Sequence, residues 1–186
     1  GIGFVLFIAA SAAGGFSETK EFIQNGGITI DFSSDDLLEY NTTTEQTISL
    51  EDMDKPNLEV ELTAGDFEII ESDVKDIVIK SSKKIDISTD GNRIRIQTPE
   101  KFRFMKFKMS NEDNDVTIQI PEGMKFEDVK MMIGAGEMSC ESIFAQKLKM
   151  EIGAGTINVN HLECEKTEIS VGAGEIIVDE GKAKDM

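Results

Sequence analysis

The chain contains one short phrase three times: MMIGAGEMSC at residues 131–140, MEIGAGTINV at 150–159 and ISVGAGEIIV at 169–178. The Gly-Ala-Gly cores begin at Gly134, Gly153 and Gly172, so they recur every 19 residues. A fixed period near 20 residues is typical of a solenoid, in which each copy is one supersecondary unit stacked on its neighbours. The sequence therefore predicts a repeat architecture.

Apolar and polar residues alternate within each repeat, as a strand with one buried face requires. Between these groups the spacing changes to three or five residues, which indicates a corner that keeps the same face inward. Stacking in register then creates inward columns, among them Met131/Met150/Ile169, Ile133/Ile152/Val171 and Met138/Ile157/Ile176. We predict an all-β, single-chain β-solenoid, right-handed because parallel crossovers generally are.

The Gly-Ala-Gly phrase is predicted to form one corner of each coil. Glycine adopts positive φ without steric cost and lets neighbouring coils approach closely. A phosphate-binding loop is disfavoured, because no third glycine completes G-x-G-x-x-G and a strand follows where a helix N-terminus is needed. We expect a Gly153→Val substitution to damage folding rather than binding. The predicted structural corner glycines are Gly134, Gly136, Gly153, Gly155, Gly172 and Gly174.

Upstream of the repeats, the same alternation predicts further strands in longer, irregular coils. These strands centre on Ile28/Ile30/Phe32, Leu58/Val60/Leu62, Phe67/Ile69, Ile77/Ile79, Ile85/Ile87, Ile94/Ile96 and Val116/Ile118/Ile120. The stretch LTAGDFEI at 62–69 is a degenerate copy of the repeated phrase. Its Gly65 precedes Gly136 by 71 residues, which is not a multiple of 19, so irregular coils are expected between the two.

The predicted organisation is an apolar segment followed by one domain. Residues 1–17 carry no charged side chain, and the run from Ile2 to Ile8 is nearly pure hydrocarbon. This segment indicates either a membrane anchor or the remnant of a signal peptide, and both predict an extracytoplasmic body. Residues 25–186 are predicted to form a single β-solenoid domain, with regular repeats at 131–149, 150–168 and 169–186.

The composition restricts the function classes. Among 186 residues, 36 acidic and 19 basic side chains give a net charge of −17. This balance argues against nucleic-acid binding, which usually needs a basic face, and against adsorption of the body to an anionic membrane. The two cysteines, Cys140 and Cys164, fall in inward columns and are expected to be small buried hydrophobic residues.

No catalytic residue, metal ligand or cofactor site is predicted. His161 is the only histidine and shares an outward column with Ser142 and Glu180, without the cluster that zinc requires. Two carboxylate-rich columns lie near the glycine corner: Glu137/Thr156/Glu175 and Glu141/Asn160/Asp179.

Two alternatives for these carboxylates stay open. With coils about 4.8 Å apart, Glu137 and Glu175 would stand about 10 Å apart, near the upper limit for an inverting glycosidase. Calcium could bind on these columns or in the loop Asn111–Asp115, although that loop lacks the glycine and closing glutamate of an EF-hand. The simpler interpretation is a solvated acidic surface.

One stretch opposes the overall charge. In KFRFMKFK at 101–108, the basic residues Lys101, Arg103, Lys106 and Lys108 are interleaved with aromatic residues. The simpler interpretation is an amphipathic strand whose outer charges prevent aggregation. The alternative is a binding strip for an anionic envelope polymer or an acidic partner.

Several segments together resemble a known bacterial family. They are VTIQIPEG at 116–123, MMIGAG at 131–136, the two later Gly-Ala-Gly copies, Leu58–Asp66 and Asp73–Ile79. The chain resembles the β-strand-repeat family of candidate adhesins, which includes LiaG-like envelope proteins. The resemblance implies a membrane-anchored, extracytoplasmic β-solenoid, often linked to envelope-stress systems in Gram-positive bacteria, and it supplies no catalytic residues.

These observations lead to one functional expectation and two alternatives. We expect a non-enzymatic extracytoplasmic β-solenoid that acts as an adhesin or interaction surface for an unknown protein or glycan of the cell envelope. It would contact the membrane through its N-terminal segment and would bind no nucleic acid and no cofactor. The first alternative is an accessory or sensor protein of an envelope-stress system, and the second is a carbohydrate-active solenoid enzyme.

Overall fold

The computed structural model describes residues 44–100 and 115–185, and all of its elements are β strands. These are β1 (Thr44–Ile48), β2 (Asn57–Ala64), β3 (Phe67–Ser72), β4 (Ile77–Ser81), β5 (Asp86–Asp90), β6 (Arg93–Gln97), β7 (Val116–Pro121) and β8 (Lys125–Asp185). They confirm the all-β prediction. No helix within these two ranges is long and apolar enough to cross a membrane.

Several sequence predictions lie outside this description, and one strand is new. The apolar segment 1–17 and the strand around Ile28–Phe32 fall outside the described residues. β1 was not predicted, because only Ile48 of its five residues is buried and the segment TEQT has no apolar alternation. The remaining predicted strands correspond to β2 through β7.

β8 is the wound part of the solenoid. It runs for 61 residues, far beyond the length of a straight strand in a globular protein. Gly153 lies against the carbonyl group of Gly134, and Gly172 lies against that of Gly153. Successive repeats therefore stack in register at the 19-residue period, which confirms the β-solenoid prediction.

The early copy of the phrase stacks directly on the first regular repeat. β2 pairs in parallel with β8 from Leu58 opposite Val129, and β3 pairs with it up to Ile69 opposite Cys140. The two copies are therefore direct neighbours in space, and the expected longer, irregular coil intervenes only along the chain. The intervening chain does form a longer coil, but its strands β6 and β7 pair in parallel with the opposite edges of β2 and β3.

Antiparallel strands border that irregular coil. β5 pairs with β6, β4 pairs with β7, and β1 pairs with β4, all antiparallel. The result is one mixed sheet that is parallel along the solenoid and antiparallel at one end. Solenoids commonly carry atypical terminal units of this kind, because an open coil edge would otherwise pair with other chains.

The inward columns form the core. In the first two repeats, the predicted inward residues are 0–2% exposed: Met131, Ile133, Met138, Met150, Ile152 and Ile157. In the third repeat, Ile176 is buried at 8% exposed, while Ile169 and Val171 are only partly buried against the core. Full burial of one such side chain contributes about 1.5–3 kcal/mol, so the stacked columns supply most of the stabilisation.

The glycine corner is the place where successive backbones come closest. Gly65, Gly136, Gly155 and Gly174 have φ values of +126°, +137°, +129° and +152°, a region open almost only to glycine. A Cβ atom on any of the last three would overlap the carbonyl oxygen of the glycine one coil before. The corner thus requires glycine both for its backbone angle and for its spacing.

We predict that Gly155→Ala lowers the free energy of unfolding by about 3 kcal/mol or more, because it combines backbone strain with overlap. Gly153→Val is expected to be at least as damaging, since its Cβ would meet the carbonyl group of Gly134. Urea denaturation measures both effects. Gly181→Ala is the matched control, because its new Cβ would be 3.4 Å from Val178 Cγ1, an ordinary contact. Equal stability of the Gly155→Ala and Gly181→Ala proteins would contradict the role assigned to the corner.

Candidate functional site

A row of charges crosses the outward side of the first strand of each coil, and we call it the charge ladder. Its members are Arg95 on β6, Glu59 on β2, and Lys130, Lys149 and Glu168 on β8. Arg95 donates to Glu59 Oε2 from Nη2 at 2.9 Å and from Nε at 3.1 Å. Lys130 Nζ lies 3.3 Å from Glu59 Oε1, and Lys149 Nζ lies 2.9 Å from Glu168 Oε1. The ladder therefore consists of two linked groups, Arg95–Glu59–Lys130 and Lys149–Glu168, and the first of them joins coils that are far apart in sequence.

Glu59 is the best-connected group of the ladder. Burial by itself would raise the pKa of its carboxyl group, but the hydrogen bonds and positive charges of Arg95 and Lys130 outweigh that effect and lower it. Its side chain is 21% exposed, against 70% for Glu168 at the far end of the ladder. The ion pairs of Glu59 therefore contribute to the stability of the fold, whereas the exposed ion pair of Glu168 contributes little.

The outward side of the second strands is a different surface, which we call the acidic face. Its described carboxylates are Asp66, Glu68, Glu137, Glu141, Glu175 and Asp179. None of the outward positions on β3 or on the second strands of the three repeats carries a basic residue. The two carboxylate-rich columns predicted from the sequence lie on this face.

The carboxylates of the acidic face do not converge on a common point. Asp66 Oδ1 accepts a hydrogen bond from the Glu137 backbone N–H at 3.2 Å, and Glu141 Oε2 accepts one from the Glu71 N–H at 3.0 Å. Within residues 44–100 and 115–185, no three His, Cys, Asp or Glu side chains form a group that could hold a metal ion. Of the candidate calcium loop, only Asp115 is described, and it lies 3.8 Å from Lys83 Nζ.

The basic strip of Lys101, Arg103, Lys106 and Lys108 lies outside the described residues, but its points of attachment are known. The Thr98 N–H donates to the Glu61 carbonyl group at 3.0 Å, and the Val116 N–H donates to that of Asp66 at 3.1 Å. The chain therefore leaves the irregular coil and returns to it at the level of the glycine corner.

Both cysteines are buried free thiols, in agreement with the sequence expectation. Burial raises the pKa of the Cys140 thiol, with a smaller contribution from the charge of Glu68. Cys164 Sγ lies 2.6 Å from Thr167 Oγ1. A buried thiol that stays protonated is a poor nucleophile, so Cys140 has the properties of a core residue.

His161 is partly exposed and contacts two neighbouring side chains, whereas the sequence predicted an outward position. Its ring lies 5.5 Å from the Phe144 ring at a tilt of 47°, and its Nδ1 lies 3.4 Å from Glu180 Oε2. Ser142, in the same column one repeat earlier, is only 8% exposed, so this column is not outward along its whole length. His161 supports the Phe144 ring and has no thiol or hydroxyl partner recorded among the described residues.

A half-open cleft of about 420 Å³ runs along another corner of the coils. Its floor is one inward column, in which Phe126, Ala145 and Cys164 succeed each other at 19-residue steps. Phe126 and Cys164 are 3% and 5% exposed, and the small Ala145 between them leaves a pit that is open to solvent. The half-exposed Phe144 lines the pit from the side.

The rim of the cleft is charged, with both signs present. Besides Gln146, it carries Lys55, Lys125, Glu163, Glu165 and Lys182. Lys125, Phe144, Glu163 and Lys182 are again one 19-residue column, so the rim is a direct product of the stacking. Sequence reasoning missed this cleft, although the column Phe126–Ala145–Cys164 shows the loss of side-chain volume that creates it.

The geometry can now be compared with known proteins. The Toastrack DUF4097 family model matches residues 55–186, which include every coil from β2 onward. The chain belongs to the Toastrack DUF4097 family. This membership confirms the family resemblance that the sequence predicts.

One solved structure supports the fold of this Toastrack chain. A crystal structure of a candidate cell adhesion protein from Clostridium sporogenes ATCC 15579 matches with a TM-score of 0.53 and 13% identity, over 76% of this chain and 99% of that one. At such low identity the likeness shows the fold alone. A candidate adhesin from Bacteroides fragilis NCTC 9343 matches at a TM-score of 0.34 and 9% identity, over 80% and 99% of the two chains. No curated protein matches the sequence significantly.

We predict that Glu59→Gln lowers the free energy of unfolding at pH 7 by about 1–2 kcal/mol, because it removes a charge-assisted contact with Arg95 and Lys130. The folded-state pKa of Glu59 lies below its unfolded value, so the stabilisation is present above that unfolded value, 4.5, and is lost as the pH falls through the folded pKa. Urea denaturation should therefore show that the variant and the natural chain differ less in their free energy of unfolding at pH 3 than at pH 7.

Glu168→Gln in the same ladder is the matched control. It is expected to change stability by no more than about 0.5 kcal/mol, because its ion pair is exposed. If Glu168→Gln lowered the free energy of unfolding as much as Glu59→Gln does, this description of the ladder would be contradicted. The same holds if the destabilisation by Glu59→Gln increased at acidic pH.

Proposed function

We propose that this Toastrack chain is a non-enzymatic adhesion or interaction module displayed at the bacterial cell envelope. The observation that carries the proposal is the in-register stacking of the coils. It holds outward side chains in straight columns on a backbone whose spacing the glycine corner determines, and such extended, ordered surfaces are what solenoid proteins use for binding. The cell-adhesion description of the Clostridium sporogenes neighbour supports the same function class.

The carboxylates suit a binding surface better than a glycosidase. Glu137 and Glu175 are both exposed and are separated by the coil that carries Thr156. A glycosidase needs one carboxylic acid in an apolar setting that keeps it protonated, and an exposed position does not supply this. Neither glutamate lines the cleft, so a ligand bound there would not meet the pair.

The proposed location is based on two observations. The uncharged segment 1–17 has the composition of an anchor or signal region, which would place the solenoid outside the membrane. The net charge of −17 favours a body that stays soluble and does not adsorb to an anionic lipid surface by itself. The segment would then provide the attachment and the solenoid would provide the contact surface.

The test is sedimentation of the purified full chain with isolated Gram-positive cell walls. We expect saturable binding to the wall pellet and no release of soluble reducing ends above the buffer level. The Glu137→Gln/Glu175→Gln double variant is the matched control and should behave like the natural chain. Failure to bind saturably would contradict the adhesion role. Reducing ends released by the natural chain and lost in the double variant would instead establish an enzyme.

A further inference from the structure

The cleft has the size and lining of a binding site for a small polar ring. Its volume of about 420 Å³ falls within the range of ordinary ligand pockets. Phe144 offers an aromatic ring next to the small Ala145, and the tilted His161 ring, which does not line the cleft, packs against Phe144. A flat apolar surface surrounded by amide, ammonium and carboxylate groups suits a sugar ring, which has apolar C–H faces and a polar edge.

One end of the cleft is positively charged. The Pro56 carbonyl group accepts a hydrogen bond from the Glu127 N–H at 3.2 Å, which brings the chain at Lys55 beside the chain at Lys125. Neither ammonium group has an ion-pair partner recorded among the described residues. Both side chains are exposed and line the cleft, and together they provide a site for a carboxylate group.

Lys55 is held in place by an unusual backbone conformation. Its φ is +49°, the only positive value of a non-glycine residue in the described ranges. The Asn92 side-chain amide donates to the carbonyl groups of Asp54 and Lys55 at 2.9 and 3.0 Å, which fixes this turn. Left-handed backbone at a long side chain is uncommon and is found where the surrounding structure enforces it, often at binding sites.

Beyond the Phe144 ring, the rim carries an acceptor, Glu163, and then Lys182. Glu163 lies in the column of Lys125, two repeats further on, which is about 10 Å at the usual strand spacing. A carboxylate there would repel the acidic end of a ligand and would accept hydrogen bonds from hydroxyl groups. Lys182 follows Glu163 in the same column, so the ligand's carboxylate is selected by the neighbouring pair Lys55 and Lys125 and not by a gradient of charge along the cleft.

We propose that this cleft binds a carboxylate-bearing saccharide of the uronic acid type, with its carboxylate at Lys55 and Lys125. One sugar ring packs against Phe144, and hydroxyl groups of the next sugar donate to Glu163. The inference rests on the proposed function, because it names the ligand class through which the module would bind the envelope. It assigns no reaction to the cleft.

The test is calorimetric titration of the full chain with tri-galacturonate, whose fully methyl-esterified form is an uncharged control of the same skeleton. We expect the acid to bind about tenfold more tightly than the ester, and less tightly as salt is raised. Equal binding of acid and ester would overturn the proposal. Equal or tighter binding of inorganic phosphate or of a tri-glutamate peptide would also overturn it, since the site would then select anions or acidic peptides and not saccharides.

Variants locate the binding on the protein. Lys125→Ala should weaken tri-galacturonate binding about fivefold, and Phe144→Leu, which keeps apolar bulk but removes the ring, should weaken it about threefold. Lys75→Ala is the matched control, because Lys75 is an exposed lysine that does not line the cleft. Lys125 is exposed, so its variant should fold normally, and unchanged binding by that variant would overturn the proposal.

The same variants separate this proposal from the envelope function. Saturable wall binding that is unchanged in both Lys125→Ala and Phe144→Leu would refute the cleft while the adhesion role stands. Tri-galacturonate binding as predicted, without any wall binding, would support the cleft and refute the role at the envelope.

Discussion

Backbone contact at the glycine corner is the constraint on which the rest of the structure depends. At each turn, a glycine approaches the carbonyl oxygen of the glycine one coil earlier so closely that a single methyl group would overlap it. Because this contact recurs in every repeat, it sets the register of the coils at 19 residues. The inward Ile, Met and Val columns, the charge ladder and the cleft all follow from that register. A change at the corner would therefore affect surfaces far from it.

Local pattern was sufficient to predict the solenoid but not the order of its coils. The alternation of apolar residues predicts the strands, and the spacing of Gly134, Gly153 and Gly172 predicts the corner and the stacking of the coils. These patterns do not predict on which edge of β2 and β3 the irregular coil packs, because both edges offer the same unpaired backbone groups. That choice depends on long-range contacts such as those between β6 and β2, which sequence spacing alone does not reveal.

The candidate site was harder to predict for a related reason. The sequence directs attention to what is chemically unusual, such as His161 or the glutamates beside the corner, and these turn out to be scattered over exposed positions. The cleft arises instead from a small side chain, Ala145, in a column whose neighbours are Phe126 and Cys164. A pit made by missing volume has no motif. It becomes visible only when residues 19 apart are compared by size, and its lysine pair also requires Lys55, which comes from the early coil.

Residues 19 apart occupy equivalent positions in stacked units, so the removal of one whole unit should leave the remaining coils in register. Removing residues 150–168 joins Lys149 to Ile169 in the original register. We expect a shorter protein with the same β circular-dichroism spectrum and a cooperative unfolding transition at lower denaturant concentration, because the stability of stacked repeats is a sum over repeats. Removing only residues 150–164 deletes less of the chain but breaks the register, and should abolish cooperative unfolding. If the two deletions behaved alike, the 19-residue stack would be contradicted.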